Sequence, residues 1–200
     1  MPEERLRGKR IGYAITGSFC TLEEIVPTLA ALIAAGAALT PIFSERAATM
    51  DTRFGQAADW RKQFEDVCGR PAITTIQEAE PIGPKNLFDI VVISPCTGNT
   101  MAKLANAITD STVLMAAKAQ LRNDRPVVLA ISTNDGLGAN AVNLGVLLNR
   151  TNLYFVPFGQ DAPREKRRSL VCDLSLLVET VLAALEGRQL QPLLIERFRR

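Results

Sequence analysis

Residues 89–106 read DIVVISPCTGNTMAKLAN, an apolar run that breaks into a polar loop and then into a helical pattern. The run 89–93 is nearly all apolar, as expected of a central parallel strand covered on both faces. The loop after it, with Pro95, Cys96, Thr97, Gly98, Asn99 and Thr100, opens a helix predicted over residues 100–107. Thr97 and Thr100 are three residues apart, so both hydroxyls can face one oxyanion at the helix start. Free amide N–H groups and the helix dipole favour negative charge there. Gly98 permits close backbone approach, and Asn99 adds an amide that both donates and accepts. N-capping by Thr97 would account for only one of these groups.

The same alternation of apolar run and helical pattern extends in both directions. Strands are predicted at residues 10–15, 38–43, 126–131 and 153–156, with a short one at 73–76. Helices are predicted at 21–35, 56–68, 111–121, 140–148 and 170–186. Thr21 and Glu24 have capping-box spacing, Gly36 is a helix stop, and Pro27 should kink the first helix. Residues 44–55 form a polar stretch, and Pro81, Gly83 and Pro84 make 78–85 a loop. In the last helix Leu174, Leu177, Val178, Val181, Leu182 and Leu185 share one face, and Gly187 stops it. Residues 1–200 form one domain with 188–200 as a C-terminal tail. Its apolar stretch at 192–195 needs cover, for which a neighbouring subunit is one candidate. Strands alternating with helices give an α/β fold, a flavodoxin-like three-layer sandwich with a parallel sheet and helices on both faces. Such sheets bind ligands beyond the carboxyl ends of their strands, at the topological switch point.

Three more loops on that rim are polar. The loop after the first strand is Thr16-Gly17-Ser18-Phe19-Cys20-Thr21, rich in small and hydroxyl residues before a helix. It matches neither a dinucleotide fingerprint nor a Walker loop. The second strand ends at Ser44, and the loop at 132–138 contains Thr133, Asn134 and Asp135. Each loop alone reads as a turn; four polar loops on one rim point to a bound anion.

Composition narrows the chemistry. The 200 residues are 47% hydrophobic and 22% charged, with net charge +2, ordinary for a globular protein. The basic clusters at 164–168 and at Arg197, Arg199 and Arg200 read as solvated surface rather than a nucleic-acid footprint. No apolar run approaches the roughly 18 residues that span a membrane. The charged start, MPEERLRGKR, is not a secretory signal. The four cysteines, Cys20, Cys68, Cys96 and Cys172, form no metal or redox pair and read as reduced thiols of a cytoplasmic protein. There is no histidine. Ser-His and Cys-His catalysis and imidazole metal sites are thereby excluded within the chain, and no catalytic residue is assigned.

These loops resemble the flavoprotein superfamily of flavin-dependent cysteine decarboxylases and flavin prenyltransferases. There a T-G-S loop, a hydroxyl after the second strand and a P-x-[ST]-x-x-[ST] loop hold the phosphate of flavin mononucleotide (FMN). The resemblance implies that role for Gly17, Ser18, Ser44, Pro95, Thr97, Asn99 and Thr100, with Thr133 beside them. Asn134 matches an asparagine that meets a substrate carboxylate, although Ser132-Thr133 replaces the Ala-Met that precedes it in the decarboxylases. A closer resemblance, over almost the whole chain, is to the B subunits of dipicolinate synthase. It rests on TRFG (52–55), EAEP (78–81), TGN (97–99), NAITDS (106–111), MAAKA (115–119), ISTND (131–135), PFGQD (157–161) and ALEGRQLQP (184–192). That family, of spore-forming bacteria, implies an A subunit as partner, NADP bound through it, and oxidation of a dihydropyridine dicarboxylate to dipicolinate. Arg53, Lys103 and Asn134 are then candidates for the substrate carboxylates, since a guanidinium can grip a carboxylate bidentately. The resemblance also implies a homo-oligomer. The family's first loop often reads T-G-S-H-C-T; here Phe19 replaces that histidine, either stacking on a flat ring or serving as an apolar helix-entry residue. Two alternatives stay open: a flavin prenyltransferase or decarboxylase on the same scaffold, and a non-catalytic structural partner of an A subunit.

Overall fold

The computed structural model describes residues 4–196; Arg197, Arg199 and Arg200 lie outside the described residues. The strands fall where apolar runs put them: β1 (Arg10–Ile15), β2 (Ala38–Phe43), β3 (Ile90–Cys96), β4 (Val127–Thr133) and β5 (Leu153–Phe155). They pair in parallel in the order β2-β1-β3-β4-β5. Every residue of β3 is buried, the burial its unbroken apolar run requires at the centre of a doubly covered sheet. The direction of chain progress reverses between β1 and β3, so the switch point lies between the loops that follow these two strands.

Opposite crossover directions place helices on opposite faces. On one face α1 (Leu22–Ala34) packs against α8 (Leu177–Leu185). On the other, α5 (Gly98–Ala105) packs against α6 (Thr112–Leu121) and α7 (Ala141–Leu148). α2 (Glu45–Thr49) and α3 (Ala57–Cys68) cover the β2 side, and α4 (Ile76–Ala79) packs against α6. Phe64 of α3 meets Phe43 of β2 edge-on, ring centroids 5.5 Å apart, a preferred aromatic geometry. The buried Tyr13 hydroxyl sits 2.8 Å from Thr28 Oγ1 of α1, so a polar atom deep in the core is paired. At the amino end of the sheet Asp89 accepts from the Arg10 amide at 2.8 Å and from its guanidinium at 3.0 Å.

The three-layer sandwich holds, with additions at its edge. Residues 170–172 do not begin the last helix. They form β7 (Leu170–Cys172), antiparallel to β4 at Ser132 and Thr133 and to β6 (Phe158–Gly159). The apolar spacing of Leu170, Leu174 and Leu177 looks helical, but Asp173 accepts from the Ser175 amide and closes the strand into a turn. The predicted strand at 73–76 is one bridge, Ile42 to Ile73, and then α4. Here Thr75 and Glu78 make a reciprocal capping box, in a segment read as strand and loop. The loop predicted at 78–85 likewise contains the end of α4 and a 3-10 turn, Glu80–Ile82. The expected box at Thr21 and Glu24 is absent: the Thr21 hydroxyl donates to the Ser18 carbonyl at 2.8 Å. In the tail, Phe158 N–H donates to Leu193 and Ile195 N–H to Phe158, so the chain's own sheet edge covers part of the stretch while Leu194 stays 71% exposed.

Candidate functional site

Three loops are tied together at the switch point. The buried Thr16 hydroxyl, just past β1, donates to the Pro95 carbonyl at 2.6 Å and accepts from the Thr97 amide at 3.4 Å. The Ser44 amide donates to the Ile15 carbonyl at 3.0 Å, which sets the end of β2 beside the end of β1. Between these ends and the first turn of α5 lies a cleft of about 400 Å³. That is within the roughly 300–1,000 Å³ usual for small-ligand sites.

The hydroxyl residues Thr16, Ser44, Thr97, Thr100 and Ser111 line it together with the apolar Phe19, Met50 and Leu114. Thr97 is the N-cap of α5: its Oγ1 accepts from the Thr100 amide at 3.3 Å and lies 3.0 Å from Thr100 Oγ1. Gly17, Ser44, Asn99 and Ser111 line the same space. Phe19 is half-buried, packs against the core and also lines the cleft. α5 points its amino end into the cleft, so its unpaired amides and its dipole favour an anion.

The charged residues on the rim are unequally committed. Glu45 Oε1 accepts from Thr112 N–H at 3.0 Å and from Thr112 Oγ1 at 2.9 Å, which ties this carboxylate to the start of α6. Lys103 Nζ pairs with Asp110 at 2.6 Å. Arg46 makes no ion pair or side-chain hydrogen bond with any described residue. Among the described residues lining the cleft, it is the cation left available to an incoming anion. Sequence reasoning missed it inside a stretch read as polar loop. The signal was Ser44, which accepts from the Ala47 amide and so starts α2, placing Arg46 on a helix beside the cleft.

Of the residues singled out in the sequence, Gly17, Ser44, Thr97, Asn99, Thr100 and Lys103 meet in this cleft. Pro95 lends its carbonyl to Thr16 and lines a second cavity, of about 180 Å³. Ser18 Oγ lies 3.3 Å from Ser132 Oγ; Ser132 lines that second cavity, and Ser18 is not part of the cleft wall. Thr133 donates to the Asp135 carboxylate at 2.5 Å. Asn134 is exposed and lines neither cavity. Arg53 is exposed, its guanidinium 4.8 Å from the centroid of the Phe54 ring, outside the cleft. Burial pushes the Cys96 thiol up to about 12, which leaves it a neutral packing residue. Among the described residues no group of three His, Cys, Asp or Glu side chains could hold a metal, and no helix is long and apolar enough to cross a membrane.

A parallel sheet with a hydroxyl-lined cleft at its switch point defines a class, and the model of the Flavoprotein family matches residues 1–162. The B subunit of dipicolinate synthase from Bacillus subtilis (strain 168) is 51% identical over 193 residues, covering 96% of each chain. The crystal structure of the dipicolinate synthase B subunit from Bacillus halodurans superposes with a TM-score of 0.89 at 47% identity, covering 96% of this chain and 99% of that one. The FMN-dependent cysteine decarboxylase SpaF, at 18% identity and a TM-score of 0.66, covers 90% of this chain and 99% of its own, and shares the fold. The chain belongs to the Flavoprotein family and, within it, to the family of dipicolinate synthase B subunits.

Proposed function

We propose that the chain serves with an A subunit to oxidise dihydrodipicolinate to dipicolinate, and that its cleft holds the phosphate of FMN. The carrying observation is the convergence of Ser44, Thr97, Thr100, the amino end of α5 and the uncommitted Arg46 on one cleft. The residues fit a phosphate ester. Thr97 and Thr100 at present satisfy each other across 3.0 Å and can turn to donate to phosphate oxygens. Arg46 supplies a charge-assisted contact.

Oxidation of a dihydropyridine removes one hydride and one proton and leaves an aromatic ring, so much of the driving force comes from aromatisation. NADP, carried by the A subunit, would take up the hydride, and the proton would pass to solvent. Bound FMN supplies two-electron acceptance. This chain's own residues bind and orient. Lys103 is the substrate-side cation within the cleft, exchanging Asp110 for a substrate carboxylate.

Dihydrodipicolinate oxidation measured with the A subunit alone, this chain alone and both together tests the reading. Only the mixture should turn over. Full activity of the A subunit alone would end the catalytic assignment.

A further inference from the structure

Behind the first turn of α5, three polar side chains close on Gly98. A Cβ on Gly98 would stand 2.7 Å from each of Thr133 Oγ1, Asp135 Oδ1 and Asn140 Nδ2. None of these three residues lines the cleft. Only a residue without a side chain allows the loop after β4 to press this closely against the helix.

Asp135 is the hub of the group. Its carboxylate accepts from Thr133 Oγ1 at 2.5 Å and from Asn140 Nδ2 at 2.8 Å. Asn140, 7% exposed, then accepts from Asn143 Nδ2 at 2.9 Å. Asn143 accepts from Asn106 Nδ2 at 3.3 Å, and that same amide donates to the Ala102 carbonyl at 2.8 Å. Asn106 is the C-cap of α5. The chain of bonds thus ends on the last turn of α5, while the group at its other end packs against Gly98, the first residue of the helix. A satisfied polar network of this kind rigidifies the elements it joins.

The placement sets two effects of Asp135 against each other. Its negative charge lies beside the helix terminus that would receive an anion, and by Coulomb's law alone it opposes binding. Its hydrogen bonds hold the loop that backs the same terminus. We infer that Asp135 is a positioning residue: through Thr133 and Asn140 it fixes the first turn of α5 from behind, and the phosphate affinity of the cleft depends on it. This rests on the FMN reading above.

The two effects predict opposite signs for Asp135→Ala, which makes the test sharp. FMN and riboflavin share their ring and sugar chain and differ in the phosphate, so the ratio of their affinities, measured by fluorescence titration, isolates the cradle. In Asp135→Ala the FMN affinity should fall about ten-fold with riboflavin unchanged, even though a negative charge has been removed. Thr133→Val keeps the side-chain shape and removes one bond to the hub. It should lower the ratio in the same direction by less, and it carries the test if Asp135→Ala does not fold. A ratio at or above the wild-type value in the folded variants overturns the inference and leaves the FMN reading standing. A wild-type protein that does not distinguish FMN from riboflavin overturns both.

Discussion

The loops after β3 and β4 look alike as sequence and have different tasks in the structure. Both follow buried strands, both mix hydroxyls, amides and glycine, and both precede a helix. The β3 loop turns Thr97, Asn99 and Thr100 into the cleft. The β4 loop turns Thr133, Asp135 and Asn140 onto one another and onto the back of Gly98. A polar loop at the switch point can therefore serve a ligand or serve the loop that meets the ligand. What separates them is which side of α5 each one reaches.

The largest expected effect comes from charging the β3 loop. Thr97→Asp keeps an N-cap acceptor for Thr100 and sets a carboxylate against the phosphate. FMN affinity should drop about a hundred-fold while thermal stability holds, as titration and melting curves would show. Unchanged affinity would erase the distinction between the two loops.

A region distant from both gives the next effect. Burial raises the Asp89 pKa, but hydrogen bonds and charge from Arg10 outweigh this and hold the carboxyl below its usual range. A depressed folded-state pKa contributes stability that is complete above the unfolded value, about 3.9, and is lost as pH falls from there through the folded value. Asp89→Asn should lower stability near neutral pH, flatten the acid limb of urea midpoints plotted against pH, and leave FMN affinity alone.

Arg46→Ala should weaken FMN binding about ten-fold and reduce its salt dependence, since an exposed cation acts through a screened field; titrations at two ionic strengths read both. The smallest effect is expected of Ser18→Asp, about three-fold at most, because Ser18 faces Ser132 and not the cleft. A loss as large as that of Thr97→Asp would move the anion toward the second cavity.

Most of the fold was legible because burial on two faces leaves an unbroken apolar run, as at β3 and β4, and because helices covering such a sheet show one apolar stripe. The edge hairpin of β6 and β7 was not. Leu170-Val171-Cys172 runs without interruption into the helical spacing of α8, and pairing with Ser132 and Thr133 is a tertiary event. α4 was hidden because Thr75 and Glu78 cap only a single turn, too short to show a period. In the site, residue type revealed Ser44, Thr97 and Thr100. It could not reveal that Ser18 turns aside, or that Arg46 stays unpaired among the described residues while Glu45 and Lys103 find partners. Those outcomes depend on Ser132 of β4, which meets Ser18, on Thr112 of α6, which meets Glu45, and on Asp110, which meets Lys103, and none of these pairings leaves a local pattern.

The central claim is that the cleft recognises a phosphate ester, and titrating the wild-type protein in parallel with FMN and riboflavin tests it most directly. The account predicts flavin fluorescence quenching by the protein with FMN at least about ten-fold tighter than riboflavin. Equal affinities, or no binding of FMN, would contradict it.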